Sequence, residues 1–347
     1  MFYKLKTKLI EKNIAKKNVS NPFNYESAES YELSKDASKW INNSYYFSAH
    51  EGDKSFFCRL GIRINQIETW FVILDGDDKY CLKEELFEVG KSPLKVIKEN
   101  DKWIISFSGE VIHNDKEKVS LTFKGEFTST NKYLDFTSDM PPVRMAKAIA
   151  QEKWNKSFFK ELENVSGQTH YEQVGSLNIE YSVNTKEYKY SLPCVRDHSF
   201  GKRDWNYMNN HLWLMAVSPH GQFNYSLVSY PAISVLEVGN YIKDNKTNYL
   251  ISADLDFNKI ATGNNINEIS LNVKLDNGEV INVIANVVDT TVYHFQGDEY
   301  TLIENIATYK INNETFKGIL EIGFNKDKTR IFNSRNIRKF KRWKYIS

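Results

Sequence analysis

The stretch that decides the fold is KWIISFSGEVI, residues 102–112, followed closely by VSLTFKGEFT, residues 119–128. Apolar and polar side chains alternate with a period of two in both segments, which is typical of β-strands that bury one face. Further alternating segments recur along the whole chain, which holds 20 Tyr and 21 Phe. We therefore predict an all-β protein.

Short turn sequences join the alternating segments. DGDD at 75–78, SPHG at 218–221, DNGE at 276–279 and NNET at 312–315 are suited to hairpins. Antiparallel neighbours joined in this way form meanders, which stack as sandwiches or close into barrels. One segment, residues 140–163, instead has a helical pattern and opens with two prolines.

The length of 347 residues exceeds what one hydrophobic core usually organises, so we predict two domains. The predicted helix near the middle places the boundary. Residues 1–24 form a basic N-terminal segment, 25–150 an N-terminal β domain and 151–347 a C-terminal β domain. The basic segment is predicted to pack as a surface helix, and contact with a membrane is the alternative.

Charge and cysteine content exclude several classes of protein. Lys and Arg number 46 against 44 Asp and Glu, which gives no electrostatic case for nucleic acid as a partner. Cys58, Cys81 and Cys194 are far apart and predict neither a disulfide framework nor a zinc site. The sequence shows no signal-peptide or membrane-spanning pattern, so we expect a cytoplasmic location. The basic run at 335–345 either meets a phosphate or membrane surface or is a solvated tail.

The segment RDHSFGKRDW, residues 196–205, concentrates charge between aromatic residues. If residues 195–199 form a strand, Arg196 and His198 face one side while Asp197 and Ser199 face the other. Burial of Asp197 among apolar groups would make it a neutral acid able to protonate an alkene. The resulting carbocation could be captured by water or by a second double bond, or could lose a proton, with aromatic rings stabilising it.

A scaffolding role for the same charges is the alternative. The two Arg-Asp pairs could form ion pairs around a tight bend at Gly201. We predict site roles for Asp197 and His198, and a structural network for Arg203 and Asp204. His170 and Glu172 share a strand face that lines either a cavity or the domain interface. The candidate residues are for catalysis Asp197, His198 and His211, and for substrate binding Arg196, Phe200, Trp205, Trp213, Tyr225, Tyr230, His170 and Glu172.

No cofactor or metal is predicted. The sequence contains no GxSxG, Walker, HExxH or dinucleotide-binding motif. A metal would need three ligands drawn together by the tertiary structure from His170, Glu172, His198 and His211, which the spacing alone does not indicate.

Several motifs resemble one known family. HYEQVGSL at 170–177, RDHSFGKRDW at 196–205 and HLW at 211–213 are similar to the C-terminal half of a double-lipocalin family. That family is related to carotenoid hydratases of the hydroxyneurosporene synthase type and to AttH-like proteins. WINNSYYF at 40–47, FFCRLGIRIN at 56–65 and ETWFVILDG at 68–76 extend the resemblance, which covers about residues 25–325. Phe200 departs from the family's Trp and lacks its N–H donor.

The resemblance implies two consecutive lipocalin-like antiparallel barrels joined by a short helical connection. It also implies an apolar cavity and proton-assisted chemistry on hydrocarbons. We therefore expect a cofactor-independent, acid-catalysed hydratase, cyclase or isomerase of a prenyl, terpenoid or polyene substrate. A non-catalytic carrier of a hydrophobic ligand, with Arg196 or Arg203 holding an anionic head group, is the alternative.

Overall fold

The computed structural model describes residues 2–326 except 84, 166, 256–265 and 296–298. These residues form four α-helices, α1 (Phe2–Ser20), α2 (Tyr25–Glu29), α3 (Pro142–Gln151) and α4 (Lys156–Val165). The strands are β1 (Ile41–Glu51), β2 (Lys54–Ile62), β3 (Ile67–Asp75), β4 (Asp78–Cys81), β5 (Leu86–Phe87), β6 (Leu94–Glu99), β7 (Lys102–His113), β8 (Glu117–Ser129), β9 (Leu134–Asp135), β10 (Gln168–Val183), β11 (Lys186–Lys202), β12 (Asn210–Ser218), β13 (Gly221–Ser229), β14 (Leu236–Lys243), β15 (Lys246–Ala253), β16 (Glu268–Leu275), β17 (Val280–Phe295), β18 (Tyr300–Ile311) and β19 (Glu314–Asn325).

The first sheet follows the order β11-β1-β2-β3-β4-β7-β8-β10, and β10 pairs with β11, which closes the sheet on itself. All these pairings are antiparallel. Phe47, Phe56, Phe71 and Phe127 fill the interior of this first barrel. Glu29 of α2 enters the same barrel and forms an ion pair with Arg196 at 2.7 Å.

The second barrel is closed and consists of β12 to β19 in sequence order. Its interior is packed with apolar side chains, among them Leu214, Phe223 and Val283. Arg144 of α3 is buried and forms an ion pair with Glu237 at 2.6 Å. Each barrel therefore receives a buried, charged side chain from a helix, paired with a charge of opposite sign.

The two barrels pack side against side. Tyr46, Trp70 and Val72 of the first barrel share one buried cluster with Met215 and Tyr293 of the second. Strands at this contact are buried on both faces, one toward their own barrel and one toward the other barrel. We call this contact the inter-barrel interface.

The prediction of two antiparallel lipocalin-like barrels is confirmed, and so are the helical segment after Met140 and the turn at 218–221. The helices α3 and α4 lie between β9 and β10, two strands of the first sheet, and do not form the connection between the barrels. The division between the sheets differs from the predicted boundary at 150. β10 and β11 follow the helices in sequence but return to the first barrel, because they supply the strands that join β1 to β8. The sheets therefore divide after Lys202.

The basic N-terminal segment forms α1, as predicted, and Ile10 packs against the small core that includes Ile149 of α3. Among the described residues, no helix has the length and apolar character needed to cross a bilayer. The basic run at 335–345 lies outside the described residues.

Candidate functional site at the inter-barrel interface

The charged motif begins on β11, and the two faces of this strand pack against different parts of the protein. Cys194 lies in the interior core of the first barrel, whereas Val195 lies in the interface core. By strand alternation Arg196 and His198 follow Cys194 into the barrel, and Asp197 and Ser199 face the interface. The predicted separation of these pairs onto opposite faces is therefore observed.

Arg196 and His198 are enclosed in the packed interior of the first barrel, which corrects their expected position at a substrate cavity. Arg196 donates to Gln173 at 2.6 Å and its guanidinium lies 4.1 Å from the centre of the Trp103 ring. His198 lies 2.6 Å from the hydroxyl of Tyr171. Burial, and then the positive charge of Arg196, hold the pKa of His198 well below its usual value. The imidazole is therefore neutral and has a structural role.

Three titratable side chains converge on the interface side of β10 and β11. The His170 imidazole forms an ion pair with Asp197, and the ring of Phe136 stacks on His170 with centroids 4.2 Å apart. Burial alone would lower the pKa of His170, but the Asp197 carboxylate outweighs it and the pKa is raised. Asp197 thus favours the protonated imidazole.

Glu172 lies beside this pair and is buried against the second barrel. Asn224 donates to its carboxylate at 2.7 Å and Gln222 at 3.1 Å. Desolvation is the largest influence, and the charge of Asp197 adds to it, so the pKa of Glu172 rises to about 7. At neutral pH this carboxyl group can therefore both give and take a proton.

Arg203 follows β11 and extends the cluster toward a cavity of about 170 Å³. Its guanidinium donates to Ser199 at 3.0 Å, and burial lowers its pKa to about 10, so it stays charged. The cavity is lined by Arg203 with Gln168, Lys202, Asp204, Tyr207, Met208 and Tyr230. Gln168 lies two residues before His170 on the same strand face, which places the cavity beside the cluster. The structural role predicted for Arg203 stays a prediction, and its side chain also lines the cavity.

The other predicted site residues lie in four different places. His211, Trp205 and Trp213 lie at the interface, where His211 contacts Glu321 at 2.5 Å and Trp205 stacks on Phe295. Tyr225 lies inside the second barrel and donates to Glu237 at 2.7 Å, so it does not reach the cavity. Phe200 stacks on Tyr31, away from the interface. Asp204 caps a short 3₁₀ turn, accepting from Asn206 N at 3.1 Å.

The interface also holds charged residues that the sequence patterns did not indicate. Arg59 is buried and pairs with Glu68 at 2.7 Å. Glu304 is buried opposite Glu321 and accepts from Tyr46, and desolvation together with the charge of Glu321 raises its pKa well above the usual value. The sequence signal that could have indicated these residues is a single charged residue within an otherwise apolar strand. A charge buried in such a strand needs a partner of opposite charge or a hydrogen bond.

The structure does bring three possible metal ligands together. His170, Glu172 and Asp197 each place a ligand atom within 4.8 Å of the others. This donor set suits a divalent cation, although Arg203 adds a positive charge beside it. The absence of a metal therefore stays a prediction, and metal analysis of the purified protein checks it.

Two antiparallel eight-stranded rings in one chain, packed side against side, define the double-lipocalin class to which the sequence motifs pointed. The chain belongs to the family described as a domain of unknown function, DUF7064, whose model matches residues 29–326. Among curated proteins no sequence matches the chain.

Solved structures are similar to the chain at low sequence identity. An AttH from Nitrosomonas europaea superposes with a TM-score of 0.51 at 9% identity, covering 84% of this chain and 96% of that one. Kievitone hydratase from Nectria haematococca gives 0.47 at 12% identity, covering 86% and 93%. CghA with Sch210972 gives 0.49 at 8% identity, covering 82% and 88%. The resemblance to AttH-like proteins is confirmed at the level of the fold.

Proposed function

We propose that this protein is an enzyme that moves protons on an unsaturated, largely apolar substrate at the inter-barrel interface. The reaction class is isomerisation, or addition and elimination of water. The observation that carries the proposal is the pair of proton-exchanging groups at one place, His170 held by Asp197 and Glu172 with a pKa of about 7. Groups that exchange protons near neutral pH are the ones that general acid–base catalysis needs.

His170 is the group that would touch the substrate where it extends from the cavity, since its side chain is one-third exposed and follows the lining residue Gln168 on the same strand face, whereas Glu172 is buried. Asp197 fixes the orientation of the imidazole. Glu172 would exchange a proton with His170 between turnovers, because the two groups interact directly. This assignment replaces Asp197 by His170 as the proton donor, because Asp197 pairs with the imidazole instead of facing an apolar cavity.

Arg203 would bind the polar end of the substrate. Once His170 has passed its proton to Glu172, the neutral imidazole can remove a proton from the carbon adjacent to a carbonyl or carboxylate group, and the oxygen of that group against the Arg203 guanidinium would take up the negative charge that develops. Return of that proton from His170 to the far carbon of the double bond completes an isomerisation with no net change in atoms. Tyr207 and Tyr230 form the aromatic wall of the same cavity.

The size of the cavity limits what it can hold. At about 170 Å³ it is smaller than the 300 Å³ or so typical of a full ligand pocket. A terpenoid or polyene chain would therefore place only its reacting end there.

The test is a solvent-exchange assay in deuterated water with a panel of prenyl alcohols and α,β-unsaturated acids, read by mass spectrometry. We expect deuterium in a product or in recovered substrate, and at least about a 100-fold slower exchange in His170→Gln. His113→Gln is the matched control, because His113 pairs with Asp78 on the first barrel and takes no part in the proposed site. Equal exchange rates in wild type and His170→Gln would refute the assignment.

A carrier without turnover is the second candidate, supported by the charged Arg203 in the cavity wall. Arg196, the other predicted head-group ligand, is already paired with Glu29 inside the barrel. A carrier would bind members of the same panel with no exchange, and Arg203→Met would weaken binding of the acids more than of the alcohols.

A further inference from the structure

The outer face of helix α1 has no partner among the described residues. Phe2, Leu5 and Leu9 are 82%, 66% and 52% exposed, and their spacing of three and four residues places them on one side of the helix. Lys12 and Lys16 continue the same side for two further turns. We call this set of five residues the outer face.

The opposite side of α1 fixes the helix to the protein. Thr7 is buried, and Ile10 packs against the small core formed by α3, α4 and residues 232 and 233. Lys6 donates to the backbone oxygen of Glu152 at 2.8 Å. The exposed apolar residues are therefore a second apolar side of a helix already docked through its first, and not part of an undocked helix.

The charge of α1 indicates which partner fits the outer face. The helix carries six lysines and one glutamate, a net charge of +5, while the whole chain carries +2, so the remainder carries −3. A second copy of the same helix would be repelled by this charge. A nucleic acid would gain nothing from the exposed Phe2, Leu5 and Leu9, whereas an anionic lipid surface takes up both the apolar side chains and the lysines.

We propose that α1 docks the protein on anionic membranes, with Phe2, Leu5 and Leu9 in the headgroup region and the lysines against lipid phosphates. Ile10 of the docked helix packs against a cluster that includes residues 232 and 233, which belong to the loop that begins at the cavity residue Tyr230. Membrane contact is therefore made next to the segment that forms one wall of the cavity.

Vesicle co-sedimentation of the full chain tests this proposal. We expect binding to phosphatidylcholine vesicles that contain phosphatidylglycerol, weak binding to phosphatidylcholine alone, and release by high salt. Leu5→Ser with Leu9→Ser should lower the partition coefficient about tenfold or more, and so should the charge variant Lys8→Gln, Lys12→Gln and Lys16→Gln.

Matched controls carry the same changes on exposed positions of the barrels. The apolar control is Val280→Ser with Val288→Ser, and the charge control is Lys186→Gln, Lys246→Gln and Lys310→Gln. Both should bind as wild type does, and circular dichroism verifies that every variant is folded. The proposal is overturned if wild type binds the two kinds of vesicle equally, if the α1 variants bind like their controls, or if the wild type dimerises and Leu5→Ser with Leu9→Ser makes it monomeric.

Discussion

The clearest consequence of the interface geometry is a pH dependence of stability that originates at Glu172. This carboxyl group is buried between the barrels and its pKa rises from the usual 4.5 to about 7. The folded protein therefore binds a proton there that the unfolded chain has released between these two pH values. The contribution of protonated Glu172 to the free energy of unfolding is fully present below pH 4.5 and is lost as the pH rises through 7.

The size of the effect follows from the difference between the two pKa values. At about 1.4 kcal/mol for each pH unit, that difference corresponds to about 3 kcal/mol. Glu172→Gln removes the titration, so between pH 5 and pH 8 the free energy of unfolding of the variant should rise by about 2.5 kcal/mol relative to that of wild type. The variant should also lose about 1–2 kcal/mol of its free energy of unfolding at every pH, since the new amide nitrogen faces the donor groups of Gln222 and Asn224.

Urea denaturation of both proteins at several pH values measures this change. Glu180→Gln serves as the control, because Glu180 lies on the same strand but is exposed, and it pairs with Lys189 at 3.1 Å. Its difference from wild type should stay flat with pH. If the curves for wild type and Glu172→Gln are parallel from pH 5 to pH 8, the carboxyl group is not held at a raised pKa and its role as a proton-exchanging group fails.

Three further expectations concern the fold. Arg144→Met leaves Glu237 buried without its ion pair and should lower the free energy of unfolding by about 3–5 kcal/mol. The double variant with Glu237→Gln should recover part of this loss. A loss below about 0.5 kcal/mol in urea denaturation would contradict the prediction. Glu29→Gln should be similarly destabilising through Arg196 in the first barrel, and an unchanged thermal midpoint would show that this ion pair is not needed. Gly201→Ala should cost about 2 kcal/mol in the same denaturation assay, because the backbone there has φ of +109° and the added carbon would overlap a backbone oxygen; wild-type stability would refute the strain.

The sequence predicted the fold well because the determining signals are local. Period-two alternation and turn residues depend on near neighbours in the chain, and they led to antiparallel barrels. The boundary between the sheets depends on which strands pair across more than a hundred residues. The pairing of β11 with β1 has no local signature, so the sequence alone predicts the division at the helical segment.

The candidate site was predicted in part for the same reason. Alternation correctly separated Asp197 from Arg196 and His198, but it could not show that both faces of β11 are buried, one inside a barrel and one at the interface. The choice of the site face therefore needed the position of the second barrel. Glu172 acquires its raised pKa from burial against the second barrel, which outweighs the lowering effect of its hydrogen bonds from Asn224 and Gln222 of β13.

The closure of the first barrel by β10 and β11 has a consequence for how the chain is made. Until residues 168–202 have left the ribosome, β1 and β8 each present an unpaired edge, and such edges recruit other strands. The strands of the second barrel, in contrast, follow one another without a long gap between pairing partners except where β12 meets β19. The first barrel is therefore the part of the chain that is open to mispairing for longest during synthesis. A chain that stops between residues 130 and 167 keeps both unpaired edges permanently.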